Sequence, residues 1–118
     1  MAEPAIEDHT VERHCPTFQA AVELIGRRWN GAIVLAAERG ARRFCEFAAA
    51  IPGMSERLLA QRLRELEDAR IMIRTVEAGR PVSITYTLSE RGEELARAVR
   101  PLIDWGERWL SEEMDGRQ

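Results

Sequence analysis

A charged helix followed by a β-hairpin decides the fold of this chain. Residues 55–88 read SERLLAQRLRELEDARIMIRTVEAGRPVSITYTL. Leu59, Leu63 and Leu66 recur at the helical period, which gives the first half of this stretch one apolar face. The second half is rich in β-branched residues, and apolar and polar side chains alternate along it. The spacing therefore predicts a helix and then two strands.

The elements next to this stretch complete a recognisable order. Ser55 is a favourable N-cap for a helix to about residue 70, and a short helix over 43–51 should end at Pro52-Gly53. Arg80 lies near the tip of the hairpin. This order is that of a winged helix-turn-helix, which has a short helix, a tight turn, a capped helix and a hairpin with a basic tip. The helix-turn-helix then covers 43–70 and the wing 71–88.

Further helices are predicted on both sides of the winged unit. Pro16 as the first helical residue and Gly26 after the last turn predict a first helix over 16–25. A second helix is expected over 29–39. Ser89 caps a last helix over 89–113, which Pro101 is expected to kink. Residues 1–13 lack periodicity and are predicted to form a flexible arm before a domain over 14–114. The fold class is α+β, mostly α.

Length and hydropathy limit the classes of protein to consider. The 118 residues suffice for one domain. The longest apolar run, residues 32–37, is far shorter than the roughly 20 residues that cross a bilayer. Acidic residues precede any basic residue, unlike in a signal peptide. We therefore expect a cytoplasmic protein without a membrane partner, associated with the nucleoid when bound to DNA.

The net charge of −3 conceals a segregated distribution. Residues 27–80 carry eleven arginines and seven acidic residues, net +4, whereas 1–26 carry net −4 and 81–118 net −3. All 17 basic residues are arginine, and codon bias in a GC-rich bacterial genome is the explanation that we favour. Every basic side chain thus ends in a planar guanidinium, whose N–H groups are suited to phosphate oxygens. A basic centre between acidic ends predicts a segment that faces a polyanion.

The helix over 55–70 carries the candidate base contacts. Its side opposite the leucines holds Arg57, Gln61 and Arg64, with Ser55 at the N-terminal end. Arginine pairs bidentately with guanine, and glutamine pairs with adenine. A solvated charged face is the alternative interpretation.

Phosphate contacts are predicted elsewhere in the winged unit, at Arg42, Arg43 and Arg80. A second function remains open, a winged-helix module for protein–protein interaction without specific DNA binding. The acidic net charge favours that alternative, and the basic centre disfavours it.

A series of motifs over residues 14–110 resembles HxlR-type transcriptional regulators. The motifs are Cys15-Pro16, Gly26-Arg27-Arg28-Trp29, Arg43-Phe44-Cys45-Glu46-Phe47, Ile51-Pro52-Gly53-Met54-Ser55, Leu63-Arg64-Glu65-Leu66-Glu67, Tyr86-Thr87-Leu88-Ser89-Glu90-Arg91-Gly92 and Trp105-Gly106-Glu107. Two places depart from the family pattern. The wing reads Pro81-Val82-Ser83 where Pro-Pro-Arg is common, and Trp29-Asn30-Gly31 stands where a lysine is usual.

The resemblance implies a homodimeric bacterial regulator related to MarR-type proteins. Its terminal helices would build the dimer, and its two wings would straddle a pseudo-palindromic double-stranded DNA operator. By position, the recognition residues become Ser55, Arg57, Gln61 and Arg64. Some members sense electrophiles or oxidants through an N-terminal cysteine, so the resemblance allows a small-molecule or oxidant effector.

Cys15 is the candidate redox sensor. At the predicted N-cap of the first helix, a thiolate would be stabilised by unpaired N–H groups and the helix dipole; an inert capping residue is the alternative. Cys45 is expected to be partly buried and without chemistry. Two cysteines and two histidines give no metal-ligand spacing. We expect no metal, no cofactor and, since no His–acid pair accompanies Cys15, no enzyme.

Apolar residues of the terminal helices are the candidate dimer interface. Trp105 and Trp109 are one turn apart near the end of a small domain, and aromatic anchors dominate interface cores. Leu102 continues their face, and Phe18 supplies an apolar side chain on the first helix. Packing of the tryptophans against the first helix of the same chain is the alternative.

Overall fold

The computed structural model describes residues 11–116, with side chains from Cys15 onward. Most of the predicted arm therefore lies outside the described residues. In chain order the elements are α1 Val11–Gly26, α2 Asn30–Glu38, α3 Phe44–Ala50, α4 Glu56–Asp68, β1 Met72–Glu77, β2 Ser83–Leu88 and α5 Glu90–Gly116. This order confirms the mostly helical α+β class and the winged helix-turn-helix.

Helix α2 forms the centre of the core. It packs against all the other helices and against β2. Its Ile33 and Val34 are buried together with Phe47 of α3. The three leucines of α4 join this cluster, each only 1% exposed. The leucine face predicted from the helical period is thus the face that enters the core.

A sharp turn between α1 and α2 is held by Trp29 and Asn30. Trp29 has a left-handed backbone, φ 79°, and the Arg28 guanidinium lies 4.9 Å from the centre of its ring. The buried Asn30 side chain donates from Nδ2 to the Leu24 carbonyl at 2.9 Å. Asn30, one of the departures from the family pattern, thereby fixes the angle at which α1 leaves the core.

The wing is a two-stranded antiparallel hairpin anchored at its base. Cross-strand pairs run from Met72–Leu88 to Glu77–Ser83. The Tyr86 N–H donates to the Arg42 carbonyl at 2.7 Å, and the Tyr86 ring meets Phe47 edge-on. These contacts fix the base of the hairpin against the core, whereas its tip extends into solvent.

Ser89 joins the end of the wing to α5 and to the end of α4. Its Oγ accepts from the Gly92 N–H at 3.0 Å, which confirms the predicted cap of α5. Its hydroxyl donates to the Arg70 carbonyl at 2.6 Å, with the Ile71 carbonyl 3.2 Å away. The first turn of α5 is therefore fixed against the residues that follow α4.

The start of α1 differs from the prediction. The helix begins at Val11, so residues 11–13, assigned to the arm, are helical, and Pro16 lies inside the helix. Proline is most favourable in the first turn of a helix, where its missing N–H has no partner to lose. At Pro16, inside the helix, one backbone hydrogen bond is missing. Cys15 lies inside the helix and is consequently not the N-cap residue that the sequence predicted.

The terminal helices extend beyond the core. Residues 15–23 of α1 are exposed, as is nearly all of 104–116 in α5. The molecule accordingly measures 71 × 37 × 21 Å along its principal axes. Within residues 11–116, none of the helices has the length and hydropathy needed to cross a bilayer.

Gly92 provides a test of the α5 anchor. A Cβ at this position would collide with the Ile71 carbonyl oxygen, which belongs to the backbone and cannot rotate away. We expect Gly92→Ala to lower the free energy of unfolding by roughly 1–3 kcal/mol, measured by urea denaturation. The control is Gly26→Ala, where a Cβ meets nothing within 4 Å. Equal stability of the two variants would contradict the close contact.

Candidate nucleic-acid interface

The exposed side of α4 carries the predicted base-contacting residues. Arg57, Gln61 and Arg64 are exposed opposite the buried leucines and surround a shallow depression with Ala60 at its floor. The structure therefore brings these three predicted residues together. Ser55 caps the helix, because its Oγ accepts from the Leu58 N–H at 3.1 Å.

A second depression lies between α4 and the wing. Arg64 lines one side and Arg74 of β1 the other, with Tyr86 and Glu67 nearby. Arg74 faces α4 because it pairs with Tyr86, whose ring packs on the core. Arg74 is not among the DNA contacts predicted from the sequence. Strand alternation from the buried Met72 would have placed it on the same face.

Glu65 ties α4 to the end of α1. Arg27 donates to both carboxylate oxygens of Glu65, from Nε at 2.9 Å and from Nη2 at 3.1 Å. Gln61 donates from Nε2 to the same carboxylate at 3.3 Å. The Arg27 hydrogen bond is the main cause that lowers the pKa of Glu65. One carboxylate thus restrains both α4 and the side chain of a predicted base contact.

Arg62 is a structural arginine rather than a DNA contact. It is only 8% exposed and donates from Nε to the Arg28 carbonyl at 3.1 Å. Its Nη1 also lies 3.5 Å from Glu65 Oε1. Arg62 and Arg27 therefore contribute to the basic charge of the central segment but hold the fold together.

The predicted phosphate contacts lie in two separate places. Arg42 and Arg43 precede α3, and the Glu46 carboxylate accepts both of their backbone N–H groups, which lowers the pKa of Glu46. Arg42 also donates from Nη1 to the Ala37 and Ala41 carbonyls, each at 2.8 Å. Arg43 is exposed, and Arg80 is exposed near the wing tip.

Both cysteines are free thiols at the surface. Cys45 is exposed, so the expectation of partial burial was wrong. It lies beside Phe44 on α3 but points away from the face that carries the buried Phe47. Cys15 is exposed on α1, one turn before Phe18. Among the described residues, no group of three or more His, Cys, Asp or Glu is placed to hold a metal ion.

Four apolar residues of the terminal helices that were predicted to form the dimer interface are largely exposed in the single chain. Phe18, Leu102, Trp105 and Trp109 are all more than half exposed. Packing against the same chain therefore leaves more than half of each tryptophan uncovered.

Comparison with known proteins identifies the family. The sequence model of the HxlR-like helix-turn-helix family matches residues 24–114. The chain belongs to the HxlR-like helix-turn-helix family. The resemblance seen in the sequence is thus confirmed, and the described elements are those of an HxlR-type transcriptional regulator.

Two curated relatives from Bacillus subtilis illustrate the match. The HTH-type transcriptional regulator YodB is 38% identical over 95 residues, which cover 80% of this chain and 85% of YodB. The HTH-type regulator YvaP is 38% identical over 96 residues, covering 81% and 89%. The named relatives of this HxlR-like chain are transcriptional regulators, not enzymes.

Solved structures of HxlR-like regulators share the fold. The reduced form of YodB from B. subtilis superimposes with a TM-score of 0.74 at 37% identity, covering 83% of this chain and 96% of that one. The reduced form of the redox regulator HypR gives 0.76 at 30% identity, covering 84% and 98%. Structures of diamide-treated and quinone-bound YodB also match.

The Arg27–Glu65 pair predicts a pH dependence of stability. The pKa of Glu65 is lowered in the folded state, so its contribution is present above the ordinary pKa of 4.5 and is lost as the pH falls through the lower, native value. We expect Glu65→Gln to flatten the acid decline of the unfolding free energy below about pH 4.5, measured by urea denaturation across pH. Glu67→Gln, outside this network on the same helix, is the control. An unchanged slope in Glu65→Gln would refute the prediction.

Proposed function

We propose that this chain acts as a homodimer that binds a pseudo-palindromic DNA operator, with α4 in the major groove and the wing on the adjacent backbone. The observation that carries the proposal is the exposed face of α4. Arg57, Gln61 and Arg64 project from it together, while the opposite face is fixed in the core. In helix-turn-helix proteins the second helix presents such a face to base edges.

The chemistry of each exposed side chain on α4 determines which base it can contact. Arg57 and Arg64 can donate bidentately to guanine, and Gln61 can pair with adenine. The Glu65 carboxylate that receives one N–H of Gln61 restricts the rotamers of that side chain before DNA binds. Ser55 accepts from Leu58 but retains its hydroxyl proton, which it can donate at the entrance of the helix into the groove.

Phosphate contacts then flank α4. Arg43 on the α3 side and Arg80 at the wing tip are exposed cations separated in space. Arg74 adds a third, because it lines the depression between α4 and the wing beside Arg64. Arg42 completes the set, although its Nη1 already donates to the Ala37 and Ala41 carbonyls. Such contacts fix the register of the protein on the duplex.

The proposed dimer is supported by the terminal helices. Their exposed apolar residues lie on parts of α1 and α5 that extend beyond the core. Pairing of two chains through them would present two α4 helices to one side of the duplex. Half-sites of such dimers lie about 34 Å apart, one turn of B-DNA. A chain bound to chromosomal DNA in this way works at the nucleoid, in the cytoplasm.

The signal proposed for this regulator is oxidation or alkylation of Cys15. Its thiol is exposed on the same side of α1 as Phe18, one turn away, so its modification alters the proposed dimer surface. Two relatives support the proposal, since HypR is described as a redox regulator and YodB has been solved after diamide treatment and with bound quinone.

The proposed DNA contacts are tested by two arginine variants. The operator is first recovered by sequencing genomic DNA fragments that bind the purified protein. Arg57→Ala should weaken operator binding by roughly 5- to 150-fold and relax specificity. Arg80→Ala should weaken operator and scrambled duplex alike and reduce the salt slope by about one. Mobility shifts at several salt concentrations measure both.

Arg108→Ala, an exposed arginine of α5, is the control for loss of positive charge. Equal weakening of operator and scrambled DNA by Arg57→Ala would contradict its role in base recognition. Binding that is independent of salt would favour the protein-interaction module instead.

The proposed thiol switch is tested with diamide, which takes two electrons and two protons from two thiols, here the Cys15 thiols of the two copies in the proposed dimer, and leaves a disulfide between them. We expect diamide to reduce operator affinity of the wild type by about 5- to 150-fold, the usual range of coupling between sites. Cys15→Ser should abolish this response, whereas Cys45→Ser is the matched exposed-thiol variant. Reducing agent should restore binding. A full response in Cys15→Ser would show that Cys15 is not the sensor.

A further inference from the structure

We infer that Gly106 is the point at which α5 of a second copy of this chain packs closest to α5. The inference rests on the proposed homodimer and adds to it the residue that sets the crossing of the two helices. Once the crossing is fixed, so is the separation of the two α4 helices, because each α5 is anchored to the end of its own α4 through Ser89.

Nothing in its own chain accounts for a glycine at position 106. It lies inside the 27-residue helix α5, where glycine is the least favourable residue after proline. A Cβ added there would meet nothing within 4 Å. Gly92 in the same helix is different, since the Ile71 carbonyl leaves no room for a Cβ. The packing of a single chain therefore explains Gly92 but not Gly106.

The neighbours of Gly106 form an apolar socket. Residues three and four positions away on a helix are its surface neighbours. For Gly106 they are Leu102, Ile103, Trp109 and Leu110, all apolar. Leu102 and Trp109 are about 60% exposed, and a missing Cβ leaves a depression between them. A depression ringed by four side chains is the surface that accepts a residue of a facing helix.

The exposed apolar area matches a second copy as the occupant. Seven residues of the terminal helices are between 39 and 67% exposed, namely Phe18, Val22, Leu102, Trp105, Trp109, Leu110 and Met114. With roughly 150–250 Å² for a whole aromatic residue and less for an aliphatic one, their exposed surface comes to about 700 Å². A stable interface needs about 800 Å² per partner. A two-fold dimer would cover both copies of this surface at once.

The test compares two substitutions of Gly106 with a control on the opposite face of α5. Gly106→Ala and Gly106→Leu add side chains of increasing size to the socket. Asp104→Ala makes a comparable gain in helix propensity on the far face. Sedimentation equilibrium gives the dimer dissociation constant of the full chain, circular dichroism gives helix content, and mobility shifts give operator affinity.

We expect Gly106→Leu to raise the dimer dissociation constant by about tenfold to a hundredfold, with unchanged helix content. Gly106→Ala should raise it by a smaller factor, and Asp104→Ala should leave it unchanged. Operator affinity should fall in parallel with dimerisation.

If Gly106 instead faces solvent in the dimer, its substitutions should not weaken dimerisation. Gly106→Ala should then raise the melting temperature, as Asp104→Ala should, and Gly106→Leu should leave the dimer dissociation constant unchanged. Either result in a dimeric wild type overturns the role of Gly106 and leaves the proposed dimer standing. A wild type that stays monomeric at all concentrations overturns both. A dimer that dissociates as expected but binds no DNA would refute the proposed operator binding alone.

Discussion

Burial of the leucine face of α4 is the constraint on which the rest of the structure depends. Leu59, Leu63 and Leu66 pack with α2 and Phe47, and their burial fixes the rotation of α4 about its own axis. A helix held in this way has only one side left for solvent. Arg57, Gln61 and Arg64 therefore face outward together, and a rotation of about 100° would move Arg64 to the place that Leu63 occupies in the core.

The arginines of the central segment have two physical roles. Arg27 and Arg62 hold α4 against the α1–α2 turn, through the Glu65 carboxylate and the Arg28 carbonyl. Others, including Arg57 and Arg64 on α4, are exposed. Charge counts from the sequence cannot separate these roles, because every guanidinium carries the same charge. The partner that each one meets in the fold decides between structure and surface.

Hydrogen bonds and one close packing contact connect the proposed DNA-facing surface with the terminal helices. Ser89 and Gly92 fix α5 to the residues after α4, and the Arg27–Glu65 pair fixes α1 to α4 itself. In the proposed dimer, a change in how α1 or α5 meets the other chain would act on α4 through these contacts. This arrangement is suited to a regulator in which events at the terminal helices alter DNA binding.

The fold class, the order of the elements and the face of α4 that enters the core could be predicted from the sequence, because the hydrophobic period and the turn residues are local signals. The sequence also predicted the Ser55 and Ser89 caps, which depend on residues three positions away. The start of α1, the exposure of Cys45 and the position of Arg74 beside Arg64 followed only from the tertiary structure. Strand alternation gives the face of the wing on which Arg74 lies, but the packing of that face beside α4, like the exposure of Cys45, depends on neighbours distant in the sequence. The helix turn before Pro16 runs against the usual preference of proline for the first turn.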